Sequence, residues 1–292
     1  MVRYCGRDFS EADLALLQQL LRDRDAYPTR AAVSRALCEA LDWRRPNGQY
    51  KDMSARQALL RMQDDGLIEL PPARHHYGGS STRPAVSWTS ASDPQPLVTG
   101  FRGDLAALRL VATTDRRSFA LWRELIARYH YLGYTPLTGA RIHYLIYDGE
   151  RLLGAIGFGA SAWALAPRDR FIGWTRIERE SHLPLVVNNA RFLILPWVHV
   201  KYLASSVLAL AAKQLVRDWE ARHHFRPALL ETFTDPRFFA GTCYRAANWI
   251  YVGDTQGRGK LDRHTQRALP IKAIFLYPLD PRFREKLTAP EG

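Results

Sequence analysis

The chain has 292 residues, 47% hydrophobic and 24% charged, which fits a soluble globular protein with room for two domains. No stretch approaches the ~18 consecutive apolar residues that span a bilayer, and Met1 to Tyr27 is charged throughout with no apolar signal core. The cysteines, Cys5, Cys38 and Cys243, form neither a disulfide framework nor a CxxC metal pair, so the expected setting is a reducing cytoplasm, without a membrane anchor or a metal motif.

The formal charge is +12, from 41 Lys+Arg against 29 Asp+Glu. It is unevenly spread. Residues 1–71 hold eleven of each sign, so the excess of thirty basic over eighteen acidic residues lies beyond Pro71. A basic excess of that size favours phosphate polyanions or anionic surfaces.

Read in chain order, residues 1–71 predict a winged helix-turn-helix domain. In its second helix Val33, Ala36, Leu37, Ala40 and Leu41 form one apolar stripe. A third helix opens at Ser54 as N-cap, turns Ala55, Ala58, Leu59 and Met62 inward, and stops at Gly66. Leu67–Leu70 reads as a short strand, and Arg74–Gly79 as a wing tip. Such domains offer the last helix to the DNA major groove. Here it would present Arg56, Gln57, Arg61 and Gln63, with Arg44, Arg45 and Lys51 before it. Arg pairs with guanine and Gln with adenine through two hydrogen bonds each.

Residues 72–98, rich in Pro, Gly, Ser and Thr, predict a linker. The second domain, 99–292, reads as α/β (α+β). Leu121, Trp122, Leu125, Ile126 and Tyr129 give an amphipathic helix. A hairpin turns at Asp148-Gly149, and Arg191–Leu195 is a buried strand closed by Pro196. A long helix carries Ala204, Leu208, Ala211, Leu215 and Trp219. Then come a strand over Ala228–Phe233, a short helix near Thr242–Asn248, and strands at Trp249–Val252 and Ile271–Tyr277. This order resembles the GNAT acyltransferase fold. Those enzymes seat the CoA pyrophosphate on a Gly-rich turn at the long helix's N-terminus. The corresponding segment, Pro196–Ala204, has no glycine, which disfavours CoA.

Several side chains stand out. Glu231 on an interior strand must be paired, as general base, metal ligand or partner of a buried arginine. Cys243, near a helix N-terminus, is either a nucleophile with a lowered pKa or a small buried thiol. Tyr244, Arg245 and Asn248 surround it. Asn188, Asn189 and Arg191 lie beside a buried strand, with Asn188 read as fixing a turn. Arg128–Tyr134 interleaves aromatic, histidine and arginine side chains, a combination that stacks on exposed bases or closes a helix end. Gly253–Lys260 fails the P-loop pattern and reads as a basic loop, with Arg258 and Lys260 set for phosphate contact. Lys201 joins that group.

Finally, Tyr4–Phe9, Leu41–Gly48, Lys51–Ser54, Arg128–Gly133 (RYHYLG), Asn188–Pro196 (NNARFLILP), Glu231–Phe233, Gly241–Trp249 (GTCYRAANW) and Gly257–Lys260 (GRGK) resemble the DruA family of the Druantia anti-phage system. Similar domains occur in transposon-borne proteins, some fused ahead of a transposase. The resemblance implies DNA as partner and a co-encoded helicase or transposase nearby. It supplies no reaction. Three functions stay open: DNA binding, an enzyme acting through the GNAT-like domain as an acyltransferase or on nucleic acid, and a non-catalytic adaptor.

Overall fold

The computed structural model describes residues 1–45, 48–72, 86–257 and 269–289. The chain divides into two units, Met1–Thr82 and Arg83–Gly292. No helix among the described residues is long and apolar enough to cross a membrane.

The first unit opens with a hairpin that was not expected. Strands β1 (Val2–Tyr4) and β2 (Arg7–Phe9) are joined by Cys5 and Gly6, whose φ values of 50° and 83° suit a tight two-residue turn. Helix α1 (Glu11–Arg22) starts in a capping box between Ser10 and Asp13, and α2 (Arg30–Ala40) is capped by Thr29. Helix α3 (Asp52–Asp64) begins two residues before the expected Ser54 cap. The reason is Asp52. Its carboxylate accepts from the Ser34 hydroxyl of α2 and from Arg56 one turn on, at 2.7 Å, which draws it into the first turn. The core gathers Phe9, Leu17, Val33, Leu37, Trp43, Ala55, Ala58, Leu59 and Met62.

The winged-helix reading is only partly met. Three helices are present, and Gly66 takes the expected positive φ, at 74°. Leu67–Leu70, however, is not a strand. Side chains satisfy its backbone instead. Leu70 N–H donates to Gln63 Oε1 at 3.2 Å, and Arg30 donates to the Pro71 carbonyl at 2.7 Å. The wing tip, Arg74–Gly79, lies outside the described residues.

The second unit shows that the predicted linker ends too late. The Thr89 N–H and hydroxyl donate to the buried Glu124 at 3.0 and 2.8 Å, and the Ser92 carbonyl accepts from Tyr129 Oη at 2.8 Å. Residues 89–92 thus dock on the helix that carries Glu124 and Tyr129. Strand β3 (Val98–Phe101) follows, then β4 (Leu108–Ala112) and that helix, α4 (Arg116–Tyr129), capped by Asp115. Strands β5 (Ile142–Asp148) and β6 (Arg151–Ala160) form the expected hairpin, but the loop is Gly149-Glu150, one residue later, because Asp148 pairs with Arg151. Helices α5 (Ala166–Ile172) and α6 (Arg176–His182) were not foreseen. Strand β7 (Val186–Ile194) starts five residues before Arg191, so Asn188 sits in a strand opposite Glu231 rather than in a turn. Then come β8 (Val198–Lys201), α7 (Leu203–His223), β9 (Leu229–Thr234), α8 (Thr242–Ala246), β10 (Ile250–Asp254), β11 (Ala273–Pro278) and α9 (Phe283–Thr288).

Seven strands make one sheet in the order β10-β11-β9-β7-β6-β5-β4, antiparallel except for the parallel pair β7/β9; β3 and β8 form a separate parallel pair. This is the mixed α/β architecture expected from the sequence. On β5, His143 packs against Trp122 of α4 with ring centroids 4.2 Å apart, while the next residue, Tyr144, donates to Asp218 of α7 at 2.9 Å. Adjacent strand residues point to opposite faces, so α4 and α7 cover the two faces of the sheet. Gly157 of β6 lets α4 come close: a Cβ there would lie 2.6 Å from the Trp122 ring, whose Nε1 donates to the Ile156 carbonyl at 3.1 Å.

Candidate functional site

Strands β7 and β9 pair only from Val186–Asn189 to Leu229–Thr232. Beyond Asn189 they part, β7 staying with β6 and β9 with β11. A register shift on β7 marks the parting: Asn189 pairs with Phe158 and Arg191 with Gly157, leaving Ala190 bulged. Asn189 pins this bulge. Its Nδ2 donates to the carbonyls of Gly157 and Arg191, both at 3.2 Å, and its Oδ1 accepts from Tyr244 Oη at 2.8 Å. The Tyr244 hydroxyl thus meets both strands, accepting from Thr232 Oγ1 of β9 at 3.4 Å, and its ring stacks on Phe275 at 5.7 Å. The carboxyl ends of parallel strands, where connections diverge, are where open α/β sheets present ligands.

At this mouth stand Arg191, the residues after α4, the turn after β9 and the residue before β11. Arg191 is half-buried. One Nη donates to the Ala190 carbonyl at 2.7 Å, and its shielded Nε has no partner. Lys272 is half-buried too, and burial, aided by Arg191 and Arg237, lowers its pKa against the pull of Asp235. Among the described residues neither cation has a carboxylate at ion-pair distance. Asp235 is nearby but already engaged: it accepts from Arg237 Nε at 3.0 Å and Nη2 at 2.7 Å, and these bonds hold its carboxyl below the usual range. His130 is neutral, because burial, Arg191 and Lys272 together hold its pKa at about 4, and its Nδ1 accepts from Leu132 N–H. Beside these lie three exposed aromatic rings. Tyr131 is 40% exposed, Phe238 60% and Phe239 52%. Tyr131 contacts both phenylalanines, with centroids 5.4 and 5.3 Å away.

The candidate catalytic residues do not converge. Glu231 is fully buried and paired with Arg168 at 2.8 Å, accepting also from Ala162 N–H at 2.6 Å. Burial pushes its pKa up and the guanidinium opposes that. Arg168 also bonds Asp169 and the Ala162 carbonyl. Glu231 is thus the partner of a buried arginine and not a free base. Cys243 is half-buried with its pKa raised by burial, the reverse of an activated nucleophile. Tyr244 is core. Arg245 is exposed and lies over the rings of Tyr251 and Phe275 at 5.3 and 5.2 Å. Asn248 is exposed with φ 62°, just after α8. Among the described residues no group of side chains gathers that could hold a metal ion.

Of the expected DNA contacts, Gln57 and Arg61 are exposed on α3, and Arg45 is exposed in the loop before it. Arg56 is held by Asp52, and Gln63 by the Leu70 N–H. Arg44 is bound to Asp42, the Gly48 carbonyl and Tyr50 Oη. Lys51 is half-buried and occupies the N-cap of α3. Lys201 is exposed, 5.2 Å from the centre of the Phe101 ring. Arg258 and Lys260 lie outside the described residues. Among the described residues of the set, Arg191 alone stands at the mouth. The sequence reading missed Lys272 and the Phe238-Phe239 pair. Two adjacent phenylalanines in a loop bounded by Pro236 and Gly241 were the available signal, since loops lie on the surface.

Three solved structures show limited likeness to this chain. The aminoglycoside acetyltransferase AAC(6')-Ib, in complex with coenzyme A and kanamycin, is 15% identical over 63% of this chain and 99% of that one, with a TM-score of 0.36. An N-acetyltransferase from Staphylococcus aureus is 10% identical over 60% and 99%, with a TM-score of 0.34. A probable GNAT-family acetyltransferase from Chromobacterium violaceum is 12% identical over 57% and 69%, with a TM-score of 0.29. No curated protein matches the chain. One family model does match, over residues 61–287, a span that takes in α4, the β7/β9 parting and all the residues of its mouth; the chain belongs to the family of the Druantia protein DruA, an anti-phage defence protein.

Proposed function

We propose that this chain acts in phage defence by engaging DNA, with the mouth of the β7/β9 parting as the principal contact. The observation that carries this reading is the pair Arg191 and Lys272, two half-buried cations without a carboxylate partner among the described residues. Holding two like charges together in partial burial is unfavourable unless an anion completes them. Phosphate supplies that charge, and Arg offers it a planar fork. The excess of basic residues beyond Pro71 supports the same partner. On the first unit, Gln57 and Arg61 are exposed side chains suited to base contact.

The test is fluorescence anisotropy of labelled DNA against the full chain in graded salt. Affinity falls with rising salt on a log–log line. Arg191→Gln and Lys272→Gln each lower both affinity and slope. No binding at low ionic strength, or binding indifferent to salt, overturns the reading.

A further inference from the structure

The exposed rings at the mouth are unexplained by charge. Tyr131, Phe238 and Phe239 touch one another, and each leaves two-fifths or more of its surface to solvent. They sit on two separate segments, the residues after α4 and the turn after β9, so no local sequence run forces them together. The turn that carries the phenylalanines is firmly built: the Asp235 carbonyl accepts from the N–H groups of Phe238 and Phe239 at 3.0 and 2.9 Å, and its carboxylate clamps Arg237. Arg237 in turn lies 5.5 Å from the centre of the Phe238 ring. On the other side, His130 stacks on Tyr131 with centroids 5.0 Å apart. The rings are thus held in place and still uncovered among the described residues. Leu132, 41% exposed, extends the patch.

We infer that this patch is a platform for unpaired bases, and that the strand it takes is single-stranded DNA whose phosphates lie on Arg191 and Lys272. The inference rests on the reading that the mouth binds DNA, and it names the form of DNA bound. Bases in a duplex already cover one another's faces, so an aromatic platform gains nothing from them. Bases of a single strand have free faces and stack on any ring offered. A protein segment would also cover rings, but the adjacent cations without carboxylate partners favour a polyanion that carries aromatic groups. Single-stranded DNA is that chemistry.

The experiment compares three labelled probes of equal length with the full chain, each titrated over the same series of salt concentrations from low to moderate: a 12-mer oligothymidylate, its duplex with oligoadenylate, and a 12-unit abasic strand. The base-bearing strand binds about tenfold or more tighter than the abasic one, which carries the same phosphates. Tyr131→Ala and Phe238→Ala each weaken oligothymidylate binding by a factor of about five or more, the scale of one lost stacking contact. They leave the salt slope and the duplex affinity unchanged within about twofold. Tyr131→Leu, which keeps the apolar bulk, repeats the loss; thermal melts confirm that all three variants fold. Equal binding of abasic and base-bearing strands overturns the inference while the DNA reading stands. So does an equal loss on duplex. If no probe binds at low salt, both fail. If the alanine variants lose phage protection in cells with single-strand affinity intact, the patch covers a protein and the inference fails.

Discussion

Tyr244 donates its hydroxyl proton to Oδ1 of Asn189 at 2.8 Å, at the point where β7 leaves β9. Both side chains are buried. The bond joins α8 to a bulge that Asn189 also fastens through its amide group. Tyr244→Phe leaves the Asn189 oxygen buried and unpaired, with an expected loss of about 1–3 kcal/mol. That corresponds to about 2–4 °C in melting temperature per kcal/mol. DNA affinity at 25 °C should change little, since the rest of the bulge is held by backbone pairing with β6. Denaturant melts alongside anisotropy check both parts.

Glu231 and Arg168 make a stability prediction in place of a catalytic one. Glu231→Gln removes one of the two carboxylates that face a fully buried guanidinium, and with Asp169 still in place a loss of about 3 kcal/mol is expected. Phage protection should fall only in proportion to the folded fraction. The double variant Glu231→Leu with Arg168→Met should recover much of the loss, because it removes both charges of the buried pair while Asp169 keeps Arg179 at 3.3 Å. Normal stability of Glu231→Gln with protection abolished would reverse this assignment.

On the proposed DNA reading, the cations at the mouth set the salt dependence of binding. Each phosphate contact contributes about 0.7 to the slope of log K against log salt for a single strand. Removing Arg191 and Lys272 together should lower that slope by about 1.4, and titrations of the wild type and double variant between low and moderate salt measure it directly.

Two histidines shape the acid response. Burial, with Arg141 and Arg222 nearby, holds His143 at about 4, and His130 at the mouth is held at about 4. In the unfolded chain each titrates near 6.5. Between those values the unfolded chain binds protons that the folded one does not, so stability is full above about pH 6.5 and falls as pH drops toward 4. For His143 the loss amounts to about 3 kcal/mol at most. His143→Gln should flatten the fall in melting temperature between pH 7 and 4.5, on a plateau lowered by the lost ring contact with Trp122.

Much of the second unit was legible because its local signals agree. Apolar spacing marks α4 and α7, and Asp148-Gly149 marks the hairpin to within one residue. Elements held by distant partners were not. Strands β3 and β8 depend on each other across about a hundred residues, and neither carries a pattern of its own. The span from residue 86 onward looked like linker because Ser, Thr and Pro fill it, yet its polar groups are anchors on Glu124 and Tyr129. The site followed the same division. Arg191 was visible beside a buried strand, and Arg128–Tyr134 as an aromatic-basic run. Their meeting with Lys272 and the phenylalanine pair needed the sheet to part, and the parting depends on which strands pair, which single-strand periodicity does not record. The helix start at Asp52 was misplaced for a related reason: Ser54 is the better cap by type, but Ser34 on another helix decides.

The closeness of α4 to the sheet at Gly157 has a consequence for the mouth. His130 and Tyr131 leave from the end of that helix, and Arg191 is the strand partner of Gly157. The absent methyl group at Gly157 therefore seats the helix from which these rings leave. Adding it, as in Gly157→Ala, would press on the buried Trp122 ring and push the helix outward without altering any residue of the mouth.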